Sequence, residues 1–211
     1  MARAPRPGEA KTRLEQLLGP AGCARLQAEL IRHTAGWAST HEGKAWLAFT
    51  PAGAREEVAG LVPASVSLFA QEGRDLGERL RHASAFAFRA HPGALILIGT
   101  DAPQLGLVHV GSAERALAAG YDACLVPAID GGYALIALAR PTPQAFELPP
   151  AAWGGHRVLE LTVRALRRSG RACKMLEPVG DLDCPDDAMH MLADARCPPA
   201  IRDALGHRAA A

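Results

Sequence analysis

The sequence predicts an α/β domain organised around a buried strand at residues 94–98. This stretch, ALILI, is an unbroken apolar run bounded on both sides by glycine, which is typical of a strand buried on both faces of a parallel sheet. Two further strand candidates, at 44–50 and 123–127, are separated from it by helical patterns. Ligands collect at the carboxyl ends of such strands, so Asp101, just past the last apolar position, is the first candidate site residue.

Asp101 has two interpretations that this stretch leaves open. It could point into a ligand site at the edge of the sheet, or it could only cap a turn or a helix, because aspartate is favoured there for local hydrogen bonding. Taken alone, the stretch favours the cap.

The composition is that of one globular domain over residues 1–211, because 49% of the residues are hydrophobic and 21% are charged. The formal net charge is only +1, so no overall field attracts nucleic acid or an anionic membrane. Aromatic residues make up 5%, too few for a platform that stacks single-stranded bases. We therefore expect neither nucleic acid nor a membrane as a partner, and any phosphate binding must be local.

The cysteines and the apolar runs indicate a compartment. The five cysteines are odd in number and include no C-x-x-C pair, which argues against a disulfide framework and a zinc site. No apolar run approaches the roughly 20 residues of a membrane-spanning helix, and the N-terminus lacks the apolar core of a signal peptide. These features predict a soluble, cytoplasmic protein, and they do not indicate an oligomeric state.

The N-terminal segment, residues 3–14, combines a proline-punctuated loop with the start of a helix. Gly8 lets the backbone approach an anion closely, and Lys11 and Arg13 place cations beside the free N–H groups of the helix start. The pattern predicts a phosphate-binding loop, and a solvated basic tail fits this segment equally well.

Several elements are predicted before the central strand. The N-terminal helical pattern breaks at Gly19-Pro20 and resumes to about residue 31. Next come, in chain order, a strand at 44–50, a short helix at 55–61, a weaker strand at 65–70 and a helix at 76–89. Residues 71–80 form a loop rich in glycine and charge that leads into this last helix, and such a loop could shape a pocket or be an ordinary surface loop.

Two apolar strands, the first at 123–127, are separated by Asp130-Gly131-Gly132-Tyr133. Asp-Gly between strands is a strong hairpin signal. The two glycines also leave room for a ligand against the backbone, and Tyr133 offers a stacking face with a polar tip. The segment can therefore be a turn, a site or both.

The second half also contains an acidic cluster. The other elements predicted there are helices near 112–119, at 157–168 and at 201–210, and a final strand at 171–178. Residues 181–187, DLDCPDD, hold four aspartates at the start of a helix whose first turn suits Pro185. Acids at a helix start favour the helix dipole, so capping explains most of the four. Four acids nevertheless repel one another unless a cation is near.

Five motifs occur in order between residues 5 and 187: P-x-P-G-x-x-K-T-R-L, D-L-G-E-R, G-T-D-x-P-x-L, D-G-G-Y-x-L-I and D-L-D-x-P-x-D. Together they resemble a bacterial family of nucleotide-diphospho-sugar transferase-like proteins with the GT-A type fold. Members of this family include candidate glycosyltransferases, some associated with arsenosugar biosynthesis. The resemblance implies a Rossmann-like, mixed and mainly parallel sheet, flanked by helices on both faces, that binds a nucleotide at its carboxyl edge.

The resemblance also implies roles for particular residues. Gly8, Lys11 and Arg13 match the phosphate-contacting loop. Asp101 matches the metal-binding acid at the catalytic centre, and Asp183 lies in the motif that could supply a second carboxylate to the metal. The segment lining the donor or acceptor pocket is matched by Asp130, Gly131, Gly132 and Tyr133. The implied metal is Mg²⁺ or Mn²⁺, because hard oxygen ligands and phosphates suit these ions.

The sequence departs from the family pattern in two places. Members usually begin with an apolar strand before the P-x-P-G loop, whereas residues 1–4 contain no such run. We expect either a truncated first strand or a true start upstream. The long N-terminal helix usually carries an Asp-Thr pair where this sequence has His33-Thr34, so any role of that acid does not transfer.

Three functions are compatible with these motifs. The first is metal-dependent transfer of a sugar from a nucleotide-diphosphate donor to a small acceptor, by electrostatic catalysis without a covalent intermediate. Asp130 and His156 are candidates for its catalytic base because they flank glycine pairs in predicted pocket loops. The second is nucleotidyl transfer from a nucleoside triphosphate with release of pyrophosphate, because K-T-R-L also resembles guanylyl- and uridylyltransferases. The third is nucleotide binding without catalysis.

Overall fold

The computed structural model describes residues 1–206 and confirms a mixed α/β fold. The chain divides into two units. The first comprises Met1–Ala70, Thr100–Gly106 and residues 180–206, and the second comprises Gln71–Gly99 and Leu107–Val179. The single domain over residues 1–211 stays a prediction. Among residues 1–206, no helix combines the length and the apolar character needed to cross a membrane.

The predicted strands and helices all have counterparts. In chain order, the elements are β1 (Ala2–Arg3), α1 (Glu15–Ala38), β2 (Trp46–Thr50), α2 (Arg55–Ala59), β3 (Ser67–Ala70), α3 (Leu76–Ala90), β4 (Leu95–Ile98), α4 (Leu107–Ala118), β5 (Ala123–Pro127), β6 (Tyr133–Leu138), α5 (Val158–Arg168), β7 (Cys173–Met175), α6 (Pro185–Ala193) and α7 (Pro199–Gly206). The largest differences are at α1, which ends at Ala38 where an end near residue 31 was predicted, and at α4, which begins at Leu107 where residue 112 was predicted. The predicted continuation of the last helix to residue 210 lies outside the described residues.

The first unit holds a parallel three-stranded sheet in the order β1-β2-β3. Its first strand forms although residues 1–4 contain no apolar run. Ala2 lies opposite Phe49, and the N–H of Ala4 donates to the carbonyl of Thr50 at 2.8 Å. Ala2, Ala4 and Phe49 are buried in the same apolar cluster. Two residues therefore suffice here, because backbone hydrogen bonds to a neighbouring strand require no particular side chain.

Helix α1 contains the predicted break. Gly19 has φ 66° and ψ 165°, which lies outside the helical region, and Pro20 follows directly. A left-handed φ suits glycine, and proline has no N–H to donate to the preceding turn. The helix then continues well past the end predicted near residue 31. The extension buries Thr34 and Ala35, and earlier in the helix Leu26 and Leu30 lie in an apolar cluster that also contains Ile201 of α7.

The second unit holds a mixed four-stranded sheet in the order β4-β6-β5-β7. β5 runs antiparallel to β6, as the predicted hairpin requires, and parallel to β7. Of the five strand pairings among residues 1–206, three are parallel, which agrees with the prediction of mainly parallel sheet.

The prediction that residues 94–98 form a parallel strand buried on both faces is wrong. β4 pairs antiparallel with β6, with Leu95 opposite Leu138 and Ile98 opposite Leu135, and it stands at one end of the strand order. Only Leu95 of its four residues is buried, and the most buried strands of this sheet are β5 and β6. An apolar run does not specify the direction of its partner. Here that direction follows from β6, the returning strand of the hairpin.

The D-L-G-E-R motif caps helix α3. Asp75 is the N-cap residue, and its Oδ1 accepts a hydrogen bond from the N–H of Glu78 at 2.8 Å. Glu78 Oε2 in turn accepts from the N–H of Arg74 at 2.8 Å. Asp75 thus satisfies one free N–H group of the helix start, and Glu78 binds back to the residue before the cap.

We expect Asp75→Ala to lower the free energy of unfolding by about 1 kcal/mol, the usual cost of losing an N-cap side chain. Asp75→Asn is the matched control and should be nearly silent, because asparagine caps about as well as aspartate. Urea denaturation of both variants measures the difference. A loss as large in the asparagine variant would show that the charge of Asp75, and not its cap, matters.

Candidate functional site

Three predicted site residues meet in the first unit. The Nζ of Lys11 donates hydrogen bonds to Oδ1 of Asp101 and, at 2.8 Å, to Oδ1 of Asp183. The Lys11 side chain is only 4% exposed, whereas those of Asp101 and Asp183 are 49% and 44% exposed. A buried ammonium group therefore lies between two carboxylates that each still face solvent. We call these three residues the Lys-Asp-Asp cluster.

The backbone brings the two acids together. The N–H of Leu182 donates to the carbonyl of Asp101 at 2.9 Å, which fixes the D-L-D-x-P-x-D segment beside the G-T-D-x-P-x-L turn. Asp187 Oδ2 accepts from the N–H groups of Asp183 at 2.9 Å and Cys184 at 2.8 Å. The capping interpretation of the acidic segment is therefore confirmed for Asp187, while the side chain of Asp183 contacts Lys11.

The pKa of Asp187 reflects this capping role. Burial acts to raise the pKa, but the hydrogen bonds from the backbone of Asp183 and from Cys184 outweigh it and hold the pKa below its usual range. Asp187 thus stays charged at the start of α6, where a negative charge is favourable to the helix dipole.

Lys11 is held in an unusual backbone conformation. With φ 53° and ψ 36°, it is left-handed, and it is the only residue other than glycine in the described chain with a positive φ. Burial acts to lower the pKa of its ammonium group, but Asp101 and Asp183 outweigh burial and raise the pKa above its usual value. The Lys11 ammonium group of the cluster therefore stays positively charged. A left-handed backbone is unfavourable for a residue with a side chain, so this conformation of Lys11 costs some free energy.

The other predicted phosphate-binding residues are open to solvent. Gly8 is exposed with φ +75°, and no atom lies within 4 Å of the position that a Cβ would take. Arg13 is also exposed, and its side chain makes no hydrogen bond or ion pair with residues 1–206. By contrast, Arg6 donates three hydrogen bonds to the carboxylate of Glu57, at 2.6, 2.9 and 3.1 Å. Gly8 and Arg13 are thus accessible to an anion, whereas Arg6 already has a partner.

Two residues that the motifs did not single out support the turn after Asp101. His33 Nε2 lies 3.0 Å from the carbonyl oxygen of Pro103, and burial lowers the pKa of this histidine. Gln104 accepts from the N–H of Gly180 at 3.3 Å and donates to Asp194 Oδ2. His33 thus supports the turn that follows Asp101. Its only signal in the sequence was the departure from the Asp-Thr pair.

The second unit contains the D-G-G-Y segment, and the predicted hairpin is confirmed. Asp130 Oδ1 accepts from the N–H of Gly132 at 2.8 Å, so one oxygen of this acid stabilises the turn. Gly131 has φ +93°, and its carbonyl accepts from the N–H of Leu159 at 3.0 Å. The hydroxyl of Tyr133 is buried, and burial raises its pKa. Its polar tip is therefore removed from solvent.

The turn and α5 approach each other closely. A Cβ on Gly131 would lie 2.0 Å from the carbonyl oxygen of His156, closer than any real contact. The structure thus brings together the segments of Gly131 and His156, which both contain glycine pairs and were both predicted to lie in pocket loops. Glycine is required at this position for the backbones to meet.

Comparison with known proteins assigns a family. A profile described as "Uncharacterized protein conserved in bacteria (DUF2064)" matches residues 34–154, which is more than half of the chain. The chain belongs to the DUF2064 family. The DUF2064 match includes Asp101 and the D-G-G-Y segment, whereas Lys11 and Asp183 lie outside it. No curated protein matches the sequence.

Solved structures show the fold to which this DUF2064 chain is similar. A protein from Desulfovibrio desulfuricans G20, provisionally described as a nucleotide-diphospho-sugar transferase, superposes with a TM-score of 0.87 at 27% identity. The match covers 97% of this chain and 91% of that chain. CMP:2-keto-3-deoxy-manno-octonic acid synthetase, in complex with CTP, matches with a TM-score of 0.54 at 12% identity, over 76% of this chain and 85% of that chain. The fold is therefore nucleotide-diphospho-sugar transferase-like.

The donor set of the DUF2064 chain fits Mg²⁺ or Mn²⁺. Within residues 1–206, no group of three or more histidine, cysteine or acidic side chains could hold a metal ion. The oxygens of Asp101 and Asp183 nevertheless converge on one cationic group, the Lys11 ammonium. Mg²⁺ is commonly held by one or two carboxylates together with substrate phosphates, and Asp101 and Asp183 are the two acids that could hold it.

Proposed function

We propose that this protein transfers a sugar from a nucleotide-diphosphate donor to a small acceptor, with Mg²⁺ or Mn²⁺ held by Asp101 and Asp183. The single observation that carries the proposal is the convergence of these two half-exposed carboxylates on one cation. Both carboxylates keep access to solvent, so an ion and a phosphate can reach them.

The residues of the first unit suit a diphosphate leaving group. A bound divalent ion would neutralise the negative charge that develops on the diphosphate as the sugar leaves. Lys11 and Arg13 supply two further positive charges, and Gly8 leaves the loop backbone open to an anion. Since the ammonium of Lys11 lies between the acids, it must move towards the phosphates when the ion binds. No covalent intermediate is needed.

The acceptor hydroxyl must lose a proton, and the chain offers two candidates for the base. Asp130 is exposed and uses only Oδ1 in the turn, and His156 is an exposed residue beside Gly131. We propose Asp130 or His156 for this role. The rate of sugar transfer is measured in each single variant, Asp130→Asn and His156→Gln. The variant that loses more of this rate identifies the base.

Nucleotidyl transfer is the second candidate function. It is supported by the K-T-R-L helix start and by the similarity of the fold to that of a synthetase in complex with CTP. The substrate phosphate would then attack a nucleoside triphosphate, and pyrophosphate would leave. Nucleotide binding without turnover is the third candidate, and the retention of both acids of the cluster argues against it.

The released product distinguishes these functions. The protein is incubated with a panel of nucleotide sugars, nucleoside triphosphates and small acceptors, with Mn²⁺ or with EDTA. Release of a nucleoside diphosphate supports the proposal, and release of pyrophosphate supports nucleotidyl transfer. A thermal-shift screen selects the nucleotide first, because a ligand at 100 times its Kd adds about 2.7 kcal/mol to stability. Stabilisation that is equal with and without Mn²⁺ would contradict metal-dependent binding.

Lys11→Met tests whether the cluster accepts a divalent ion. The variant leaves Asp101 and Asp183 close together without a cation, so we expect the free energy of unfolding in EDTA to fall by about 1 to 2 kcal/mol, a moderate loss because both acids are half-exposed. Mn²⁺ should restore it. Arg13→Met, which removes an exposed cation without a partner in residues 1–206, is the control and should change stability little.

The measurement is urea denaturation of both variants, with EDTA and with Mn²⁺. If Mn²⁺ does not stabilise Lys11→Met, the two carboxylates do not bind the ion.

A further inference from the structure

A groove of about 700 Å³ runs along one side of helix α5 in the second unit. Its lining comes from α5, from His156 before that helix, from Gly131 and from Met175 of β7. The α5 residues from 159 to 168 span roughly 14 Å at 1.5 Å per residue. The groove is therefore long enough for a small molecule with two chemically different ends.

The rim of this groove is cationic. It contains Arg164, Arg167 and Arg168 and one acid, Glu160. Glu160 already accepts hydrogen bonds from Arg157 at 3.0 Å and from Arg164 at 2.5 Å. The side chains of Arg167 and Arg168, by contrast, make no hydrogen bond or ion pair with residues 1–206.

The net positive charge of the groove exceeds that of the whole chain. With its histidine neutral, the lining carries two more positive than negative charges, whereas the net charge of all 211 residues is +1. Cations in the last turn of a helix are favourable to its dipole, and this explains why arginine is tolerated at 167 and 168. It does not explain an apolar surface beside them.

The floor of the groove is apolar. Leu159 and Val163 are only partly buried, and Met175 keeps 37% of its surface exposed, one of the few large apolar residues to do so. These three side chains line the same groove as the arginines and Gly131. Apolar surface beside unpaired guanidinium groups matches a ligand that has an apolar body and an anionic group.

We propose that this groove binds a small amphipathic anion, a phosphate- or carboxylate-bearing molecule with an apolar or ring-shaped body. Arg167 and Arg168 bind the anionic group, because guanidinium groups hold phosphate and carboxylate in a bidentate geometry. Val163 and Met175 contact the apolar body. The site uses neither Asp101 nor Asp183, so it does not depend on the proposed metal, although its lining includes His156, one of the two candidates for the catalytic base.

Phenyl phosphate is the probe, and isothermal titration calorimetry of the full chain is the measurement. We expect saturable binding that the double variant Arg167→Gln/Arg168→Gln weakens at least tenfold. The matched control is Arg81→Gln/Arg89→Gln, which removes two exposed arginines from α3 in the same unit and should bind as the unaltered protein does. No saturable binding by the unaltered protein, or equal loss in both double variants, would overturn the proposal.

Two further comparisons separate the parts of the site. Met175→Gln should weaken phenyl phosphate binding several-fold while leaving the weaker binding of inorganic phosphate unchanged, because only the ring contacts the floor. Equal effects on both probes would contradict an apolar subsite. The variant Asp101→Asn/Asp183→Asn should bind phenyl phosphate normally. Failure of nucleotide binding in that variant, with normal phenyl phosphate binding, separates the fate of this site from that of the proposed transferase.

Discussion

Asp101→Asn is expected to weaken Mn²⁺-dependent binding of a nucleotide sugar by more than a hundredfold, or about 2.7 kcal/mol. Asparagine can make the same local hydrogen bonds as aspartate and caps about equally well, so the turn should keep its conformation. The substitution does remove one of the two negative charges that converge on Lys11. A divalent ion would then have Asp183 as its remaining protein carboxylate.

Calorimetry with and without Mn²⁺ measures this effect, with Asp186→Asn as the control. Asp186 is an exposed acid in the first turn of α6 and is not part of the Lys-Asp-Asp cluster, so its variant should bind normally. The melting temperature without ligand should change little in either variant. If Asp101→Asn bound the nucleotide sugar with unaltered Mn²⁺ dependence, Asp101 would be only a turn residue.

Gly131→Ala is expected to lower the free energy of unfolding by about 3 kcal/mol or more, from two separate causes. A left-handed φ costs a residue with a Cβ about 1 to 2 kcal/mol. The new methyl group would also lie 2.0 Å from the carbonyl oxygen of His156, and overpacking of this kind typically costs about 1 to 3 kcal/mol. Because the obstructing atom belongs to the backbone, a change of rotamer cannot relieve the clash.

Gly154→Ala isolates the first of these causes. Gly154 has φ +81°, close to the +93° of Gly131, but no atom lies within 4 Å of its Cβ position. We expect it to cost only about 1 kcal/mol. Urea denaturation compares the two variants. Equal losses of unfolding free energy in the two variants would show that the turn can move away from His156. The close approach of Gly131 to His156 would then not require glycine.

Local pattern predicted which segments form strands and helices, and it failed where the partner of a segment decides the structure. The run at residues 94–98 forms a strand as expected, but β4 is antiparallel and only Leu95 of it is buried. Residues 1–4 lack an apolar run and still form β1, because β2 offers hydrogen bonds to their backbone. In both cases the missing information lies in another part of the chain.

The candidate site shows the same division. The motifs singled out Lys11 for a phosphate and Asp101 and Asp183 for a metal. The structure joins the three directly, across 90 and 172 positions of sequence. The acidic segment was ambiguous between capping and binding, and it serves both: Asp187 caps α6, and Asp183 contacts Lys11. Sequence spacing could not assign these roles, because the carboxylates of neighbouring aspartates are chemically identical. Their roles differ only through the groups that each one contacts in the folded chain.

The sequence by itself determined the α/β class, the break at Gly19, the β5-β6 hairpin and the family resemblance, because each depends on neighbouring residues or on motif order. Only the tertiary structure decided the direction of β4, the pairing of Lys11 with two distant acids, and the groove that combines the arginines of α5 with apolar side chains. These features depend on which groups from distant parts of the chain become neighbours. The energy of a charged side chain or of a strand depends on those neighbours more than on its own residue types.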